Sequence, residues 1–535
     1  MRCNSLKFLL KMQIFIVFLI YNCTGSADDN FLCGNANPLM GYGPGPYGGS
    51  WSGQHRDGRN SDWADCEIGD RYKYSKSIMA DEPHTTFSQP IIAPDNSAWL
   101  VVSLTGRSTI TINSTFIYRV NTSSGKIIVR LGPMHGLNRT VSWNAPVVDK
   151  EGNIYLGQEL QRSPYVPCRF HGEEVHNGIL CGEFMSFDSA GNLRWKVRTD
   201  GGTLGAQFTN DGKLVLQTWR GTIYIINPES KVDNRGRIIG FLNSFPESAK
   251  TLMDYPTNEV VTECLYKAQN DKCISANIVA VSPQTGAIYN TVQGFVKGVT
   301  NSFLQRWNYD EKTNKVTIDS QWNSDVNLIG GCPSSPDISF DGKLLFVHDL
   351  DGNIFALDSD SGDMVHSAKI GYVPVGSSTT APEFDNLGNL IGTYITFQRA
   401  MDLEGEFIPY VRIMRYKKNE GFKMIAVLDG SDEEPGWIAR RNPVGGLTEG
   451  SDKSGDLRFL TIATMYCEGC EGNGDEHLLA IDPYTGVVIS STKMEKNLSG
   501  TFSLGSDKSV VISPKPDADG IGSIRELVIR YDSHN

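Results

Sequence analysis

Residues 335–370 read SPDISFDGKLLFVHDLDGNIFALDSDSGDMVHSAKI. Within them Asp341-Gly342, Asp351-Gly352 and Ser361-Gly362 recur at ten-residue spacing. The intervals Leu344 to His348, Asn353 to Leu357 and Asp363 to Ile370 each have the length of a short strand. Each X-Gly pair suits a hairpin turn that needs φ > 0. With Ile338 to Phe340 ahead of them, the spacing predicts four antiparallel strands joined by three hairpins. One such sheet cannot cover both of its faces, so it should stack against copies of itself.

Copies lie on both sides. Ser88-Gln89-Pro90-Ile91-Ile92 opens one that closes on Ile117 to Asn121 and Ser124-Gly125. Asn144-Ala145-Pro146-Val147-Val148 opens the next, which runs through Gly152-Asn153-Ile154-Tyr155-Leu156 to Gly191-Asn192-Leu193-Arg194-Trp195. A third runs from Ala206 through Asp211-Gly212 to Gly221 and Asn227. Residues 250–330 are less regular. They contain the signature Ile278 to Gly286, read as the end of a third strand and its turn, and a strand pair in 297–327 with no clear place. Later copies start at Thr380, pass through Leu478 to Gly486, and end with Phe502 to Asp532.

The last copy is incomplete. Leu527 to Asp532 matches a third strand, and only three residues follow. Tyr72 to Met79 precedes the first copy as a fourth strand would, so this N-terminal strand should complete the last sheet and close a ring without open edges. The expectation is an all-β ring over 72–535, a β-propeller of about eight four-stranded antiparallel blades, with seven as the alternative.

Residues 1–27 read as a signal peptide. Arg2, Lys7 and Lys11 precede an apolar run from Met12 to Tyr21, and Gly25 and Ala27 suit a cleavage site ahead of Asp28. No later segment is apolar enough to span a bilayer, so the expected product is secreted and extracellular. Residues 28–71, with GYGPGPYGGSWSG at Gly41 to Gly53, read as an irregular segment laid on the main body. The formal charge is −12 and no basic cluster occurs, which argues against nucleic acid.

Cys3 and Cys23 leave with the signal peptide. In an oxidising compartment most of the remaining nine cysteines should pair. Proximity suggests Cys33–Cys66, Cys168–Cys181, Cys264–Cys273 and Cys467–Cys470, leaving Cys332 odd; sequence alone cannot fix the connectivity. Sequons at Asn113, Asn121, Asn138 and Asn497 agree with secretion. Three of them cluster near the first repeat and predict one sugar-covered surface.

The segments Ala280-Val281-Ser282-Pro283-Gln284-Thr285-Gly286, Ala356 to Gly362 and Ala480-Ile481-Asp482-Pro483-Tyr484-Thr485-Gly486 resemble the Ala-x-Asp-x-x-Thr-Gly-x-x-x-Trp repeat of the quinoprotein alcohol dehydrogenase-like propellers. The resemblance covers most of 72–532. It implies a propeller, and pyrroloquinoline quinone with calcium for the catalytic members. Departures are visible. The closing Trp is present at Trp195, whereas His366 and Ser490 follow Gly362 and Gly486 at that spacing. The adjacent cysteine pair against which such enzymes stack their cofactor is missing. Cys467-Glu-Gly-Cys470 is followed by Glu471 rather than by the His of a haem attachment site. The resemblance therefore implies a non-catalytic member, and no quinone or calcium ligand carries over.

Other candidate chemistry has a plainer reading. His171, Glu173, Glu174 and His176 lack the spacing of a zinc-binding helix and read as a loop closed by Cys168 and Cys181. Asp349, Asp351 and Asn353, like Asp358, Asp360 and Asp363, alternate as calcium ligands can, but hairpin turns need the same residues. Asp517 and Asp519 are read in the same way. Cys467 and Cys470 read as a structural disulfide rather than a redox pair. The expected function is a secreted, glycosylated β-propeller that binds an extracellular protein, glycan or matrix component through loops on one face, with no catalytic, cofactor or metal residues. The alternative is a quinone- or metal-dependent oxidoreductase working at the central channel. A hydrolase or lyase on the same scaffold has no motif behind it.

Overall fold

The computed structural model describes residues 63–86, 89–103, 115–132, 146–160, 168–170, 173–175, 181–199, 203–218, 223–232, 238–239, 278–296, 299–313, 315–329, 335–339, 341–349, 352–369, 383–384, 390–401, 407–427, 436–438, 447–451, 457–466, 471, 474–482, 485–495, 500–505, 507–514 and 524–534. All regular structure among them is strand. The opening stretch forms the expected sheet: Asp337–Ile338, Leu344–His348, Asn353–Asp358 and Met364–Lys369 pair in that order, antiparallel throughout.

The turns differ in detail from the expectation. Only the glycine takes positive φ, at 70° for Gly342, 80° for Gly352 and 85° for Gly362. Gly342 N donates to Ser339 O, and Ser339 N to Leu344 O. Asp341 and Ser361 are not among the residues at positive φ, so the turns at Gly342 and Gly362 are not the two-residue turns that need positive φ at both positions.

The same four-strand meander recurs along the chain. The first takes Ile91–Ile92, Ser97–Ser103, Thr115–Asn121 and Ile127–Leu131. The second takes Val147–Val148, Ile154–Leu160, Cys181–Phe187 and Leu193–Thr199. The third pairs three strands among the described residues: Thr203–Phe208, Leu214–Thr218 and Ile223–Ile226. The fourth takes Ala280–Val281, Ile288–Val296, Val299–Asp310 and Lys315–Ile318. The opening stretch is the fifth. The sixth takes Glu383–Phe384, Leu390–Met401, Phe407–Lys417 and Gly421–Val427. The seventh takes Leu447–Ser451, Leu457–Tyr466, Glu476–Ile481 and Val488–Lys493.

The last meander closes the ring as expected. Gly500–Leu504, Val510–Pro514 and Ile524–Ser533 come from the C-terminus, and their fourth strand is β2, Tyr72–Thr86. Tyr72 pairs with Ser533, Tyr74 with Tyr531 and Ile78 with Val528. The fold is a β-propeller. Its apolar residues lie between meanders, as alternation on each strand requires. Trp99 and Ile117 of the first pack on Val148 and Met185 of the second; Val215 and Ile225 of the third pack on Val281 and Trp307 of the fourth. Across the seam, Tyr118 and Val120 of the first join Ile512 and Val528 of the last and Leu478 of the seventh.

Two expectations are corrected. Ala280–Val281 is the first strand of its meander, not the third. Its turn misled the reading because Gly286 N donates to Ser282 O in the same way that Gly125, Gly362 and Gly486 bond to Asn121, Asp358 and Asp482 in third-to-fourth-strand turns. The strand pair expected in 297–327 belongs to the same sheet. The segment 28–71, read as irregular, contains the strand β1, Trp63–Glu67, paired parallel to Leu447–Ser451.

Candidate functional site

Antiparallel meanders place their connections alternately at two edges, so the propeller has two unlike faces. First-to-second and third-to-fourth connections share one face and are mostly tight turns: Asp149–Asn153, Asp188–Asn192, Ser339–Leu344, Asp358–Asp363, Asp482–Val487 and Gly505–Ser509. The strand ends that flank the long connections 104–114 and 133–145 lie at the other face.

The tight-turn face uses its carboxylates on itself. Asp149 Oδ1 accepts from the backbone of Glu151 and Asn153, and its Oδ2 accepts from Asn153 Nδ2 and Tyr155 OH at 2.8 and 2.7 Å. Asp188 closes its turn through Ala190 and Asn192 in the same way. Of the residues weighed as calcium ligands, Asp358 Oδ1 accepts from the nitrogens of Asp360 and Ser361, both at 2.9 Å. Asp349, on the opposite face, accepts from Asn353 N and Nδ2, both at 2.9 Å. Asp351, Asp517 and Asp519 lie outside the described residues. Among the described residues, no three His, Cys, Asp or Glu side chains converge as metal ligands.

Three of the third-to-fourth-strand turns also receive a side chain from the preceding meander. Trp195 Nε1 donates to Pro228 O at 3.0 Å. Tyr289 OH and Trp322 Nε1 both donate to Ser359 O, at 2.8 and 3.1 Å, and Arg306 Nη1 donates to Asp360 O at 3.0 Å. Burial, offset in part by Arg306, pushes the Tyr289 hydroxyl up to about 12. Arg119 donates to Ser189 O and pairs with Asp95. A search for Trp at one fixed spacing finds Trp195 and misses the others, because the docking side chain changes type and strand between meanders.

The long-connection face has a different chemistry. At that end the second strands change from apolar to polar while staying buried: Leu216-Gln217-Thr218, Tyr289-Asn290-Thr291 and Val347-His348. Gln217 Oε1 and Nε2, Thr218 Oγ1, Thr203 Oγ1 and Asn290 Nδ2 are buried without a hydrogen-bond partner among the described residues, and Asn290 Oδ1 accepts from Trp307 Nε1 at 2.8 Å. This is a neutral amide and hydroxyl set. His348, 1% exposed, is held neutral because burial pulls its pKa down to about 4.

One first strand carries an added partner on its axial edge. First strands of successive meanders neighbour one another around the axis, from Gly500–Leu504 to Ile91–Ile92, Val147–Val148, Thr203–Phe208, Ala280–Val281 and Asp337–Ile338. Leu447–Ser451 is the first strand of the seventh meander, and its outward edge is taken by Leu457–Tyr466. Strand β1 therefore lies on its axial edge, with Trp63 opposite Glu449 and Glu67 opposite Ser451. Because the pairing is parallel, β1 runs from the long-connection face towards the tight-turn face. The chain then crosses outward: Asp70 Oδ1 accepts from Arg458 Nε at 2.9 Å, Ser490 Oγ donates to Asp70 O, and Thr492 Oγ1 donates to Tyr72 O at 3.0 Å. It ends as β2 on the rim.

The residues singled out for disulfides and sugars fall as follows. Cys66 lies in β1, Cys168 begins the short strand Cys168–Phe170 and Cys181 begins Cys181–Phe187. Cys33, Cys264, Cys273, Cys332, Cys467 and Cys470 lie outside the described residues, as do Asn113, Asn138 and Asn497. Glu173 and Glu174 pair with Phe170 and Arg169, while His171 and His176 are outside. Asn121 ends Thr115–Asn121 on the tight-turn face. No helix among the described residues is long and apolar enough to cross a membrane.

No protein-family model and no curated protein matches the chain. Among solved structures it is similar to a quinohemoprotein alcohol dehydrogenase from Pseudomonas putida HK5, at 10% identity over 94% of this chain and 83% of that one, TM-score 0.49. It is similar to a europium-containing methanol dehydrogenase at 14% identity over 88% of this chain and 89% of that one, TM-score 0.46. The Dos1 propeller is similar at 12% identity over 86% of this chain and 95% of that one, TM-score 0.46.

Proposed function

We propose that this chain is a secreted, glycosylated propeller that binds an extracellular protein, glycan or matrix component through its long-connection face, without catalysis at its axis. The observation that carries the reading is β1 on the axial edge of Leu447–Ser451. That edge faces the central channel, and a segment of the chain's own backbone pairs along it, which supports a role away from the axis. The unlike faces support the same reading. Tight turns are consumed in closing themselves, whereas the connections of the other face vary in length and composition, as binding loops on a rigid scaffold do.

The test is the absorption spectrum and metal content of the protein purified from its native source, together with its N-terminal sequence and its mobility after glycosidase treatment. A mature N-terminus near Asp28, a glycosidase shift and a featureless spectrum are expected. A quinone band with stoichiometric calcium would establish the oxidoreductase with pyrroloquinoline quinone and overturn the proposal.

A further inference from the structure

The four sequons are alike in sequence, but Asn121-Thr122-Ser123 stands in a special place. It forms the turn of the first meander that faces the seam where the chain's two ends meet. Asn121 Oδ1 accepts from Ser124 N at 2.7 Å, and Asn121 O accepts from Gly125 N at 2.8 Å. Thr122 is fully buried; its Oγ1 donates to Asn96 O at 2.8 Å and accepts from Arg530 Nη1 at 3.0 Å. Ser123 Oγ accepts from the same Arg530 nitrogen at 3.3 Å, and Ser123 O accepts from Lys76 Nζ. Lys76 belongs to β2 and Arg530 to the C-terminal strand, the two strands whose pairing closes the ring.

Glycan transfer makes opposite demands on these groups. Asn Nδ2 attacks the anomeric carbon of an oligosaccharide carried on a lipid pyrophosphate. The N–C bond forms, the C–O bond to pyrophosphate breaks, the lipid pyrophosphate leaves, and the amide gives up one proton. The transferase must hold the acceptor extended, with its carboxamide free and the hydroxyl two residues on presented to the enzyme. In the closed ring that carboxamide oxygen caps a turn, the exposed Ser123 hydroxyl accepts from Arg530 Nη1 at 3.3 Å, and the buried Thr122 between them holds the backbone in the turn rather than extended.

We infer that Asn121 is a folding-gated modification site, able to take a glycan only while the ring is open. This rests on the reading of the chain as secreted. Timing follows from the sequence. Arg530 lies 408 residues beyond Thr122. At about 5–20 residues per second the acceptor stays open for roughly 20–80 s of synthesis before its lock exists. Occupancy at Asn121 is thus fixed by a race between transfer and closure, and any sugar there is placed before the C-terminal strand docks.

The test uses full-length protein folded in a host without N-glycosylation, then incubated with a purified eukaryotic-type single-subunit transferase and a lipid-pyrophosphate oligosaccharide. Mass spectrometry follows modification at Asn121. The folded chain should resist, and urea-unfolded chain should be modified. The Arg530→Ala chain should be modified about 10-fold faster or more than the wild type, because local opening no longer has to break the Arg530 bonds. Lys76→Ala, which removes one exposed contact, serves as a milder variant and should fall between. Modification of the folded wild type as fast as the unfolded chain would overturn the inference, and so would both variants resisting as strongly as the wild type. Because the assay supplies its own transferase, it can fail while the protein proves secreted, or succeed while it proves otherwise.

Discussion

Replacing Arg530 by alanine removes the side chain that ties the C-terminal strand to the first meander. Its guanidinium is 9% exposed. It donates to Asp507 Oδ2 and Asp532 Oδ1, both at 2.6 Å, and to Thr122 Oγ1 and Ser123 Oγ at 3.0 and 3.3 Å. Charge-assisted bonds of this kind contribute about 1.5–3 kcal/mol each when buried. Here the two carboxylates are 35% and 49% exposed and recover water when the arginine goes, which reduces each to about 0.5–1 kcal/mol. The buried bond to Thr122 and the packing of the aliphatic stem add about 1 kcal/mol each. The sum is a loss of about 3–4 kcal/mol. Burial pushes the Asp507 carboxyl up, but bonds from Ser509 and Arg530 hold it below its usual value, so the wild type loses this contribution as pH falls and the stability gap to the variant should narrow in acid. The assay is guanidinium unfolding followed by tryptophan fluorescence, beside limited proteolysis. Arg119→Ala is the control: Arg119 makes the same kind of clasp, to Asp95 at 2.7 Å, Ser97 Oγ at 2.8 Å and Ser189 O. That clasp joins meanders already consecutive in the chain. Both variants should unfold at lower denaturant, but only Arg530→Ala should expose the C-terminal strand to protease under native conditions. Equal protection of that strand in the two variants would refute the argument that Arg530 holds the seam.

Three further outcomes follow from the geometry. Lys508 stands at φ 66° in a turn where other meanders place glycine; Lys508→Gly should stabilise by about 0.5–1 kcal/mol, read as a raised unfolding midpoint. Gly362 and Gly474 both have positive φ, but a Cβ on Gly362 would sit 2.5 Å from Asn323 O while one on Gly474 meets nothing within 4 Å; Gly474→Ala should cost about 1 kcal/mol and Gly362→Ala about 3 kcal/mol or more in the same measurement. His348 is neutral when folded because burial lowers its pKa to about 4. The unfolded chain takes up that proton below about pH 6.5. Its contribution is therefore complete above that pH and falls progressively towards pH 4. Unfolding midpoints measured from pH 7 to 5 should drop less steeply in His348→Gln than in the wild type.

The fold was legible because it is local and repeated. Asp341-Gly342 and its successors mark turns whose glycines do take positive φ, and the lone strand at Tyr72 could be paired with Leu527 to Asp532 by counting what each end lacked. The place of Ala280–Val281 was not legible. Ser282-Pro-Gln-Thr-Gly286 makes the same bond as Asp482-Pro-Tyr-Thr-Gly486, and a turn's chemistry does not say which pair of strands it joins. The docking side chains Tyr289, Trp322 and Arg306 were missed for a related reason. What the next meander offers is a backbone carbonyl, and any side chain of suitable length with an N–H or O–H can satisfy it. Nor did the residue pattern show β1: five residues of mixed polarity paired at one edge carry no alternation to read.

That unread strand bears most on function. A propeller axis is open to ligands when first strands alone line it, and in this chain the seventh meander's first strand has β1 added on its axial edge. The addition is tethered. Ile68 is 1% exposed in the apolar cluster at the seam, and Gly69 N donates to Tyr72 OH at 3.1 Å, a bond that lowers the Tyr72 hydroxyl's pKa less than burial raises it. Asp70 is held by Arg458 and Ser490. The segment that closes the ring on the rim is thus continuous, through five anchored residues from Ile68 to Tyr72, with the strand on the axial edge of the seventh meander. A ligand pairing with the axial edge of the seventh meander would have to displace β1 against that anchor. One approaching the long connections displaces nothing of β1 or its anchor, and the loops it meets differ from meander to meander. Specific binding by this chain is therefore expected on that face, built from unequal connections over a buried layer of neutral polar groups.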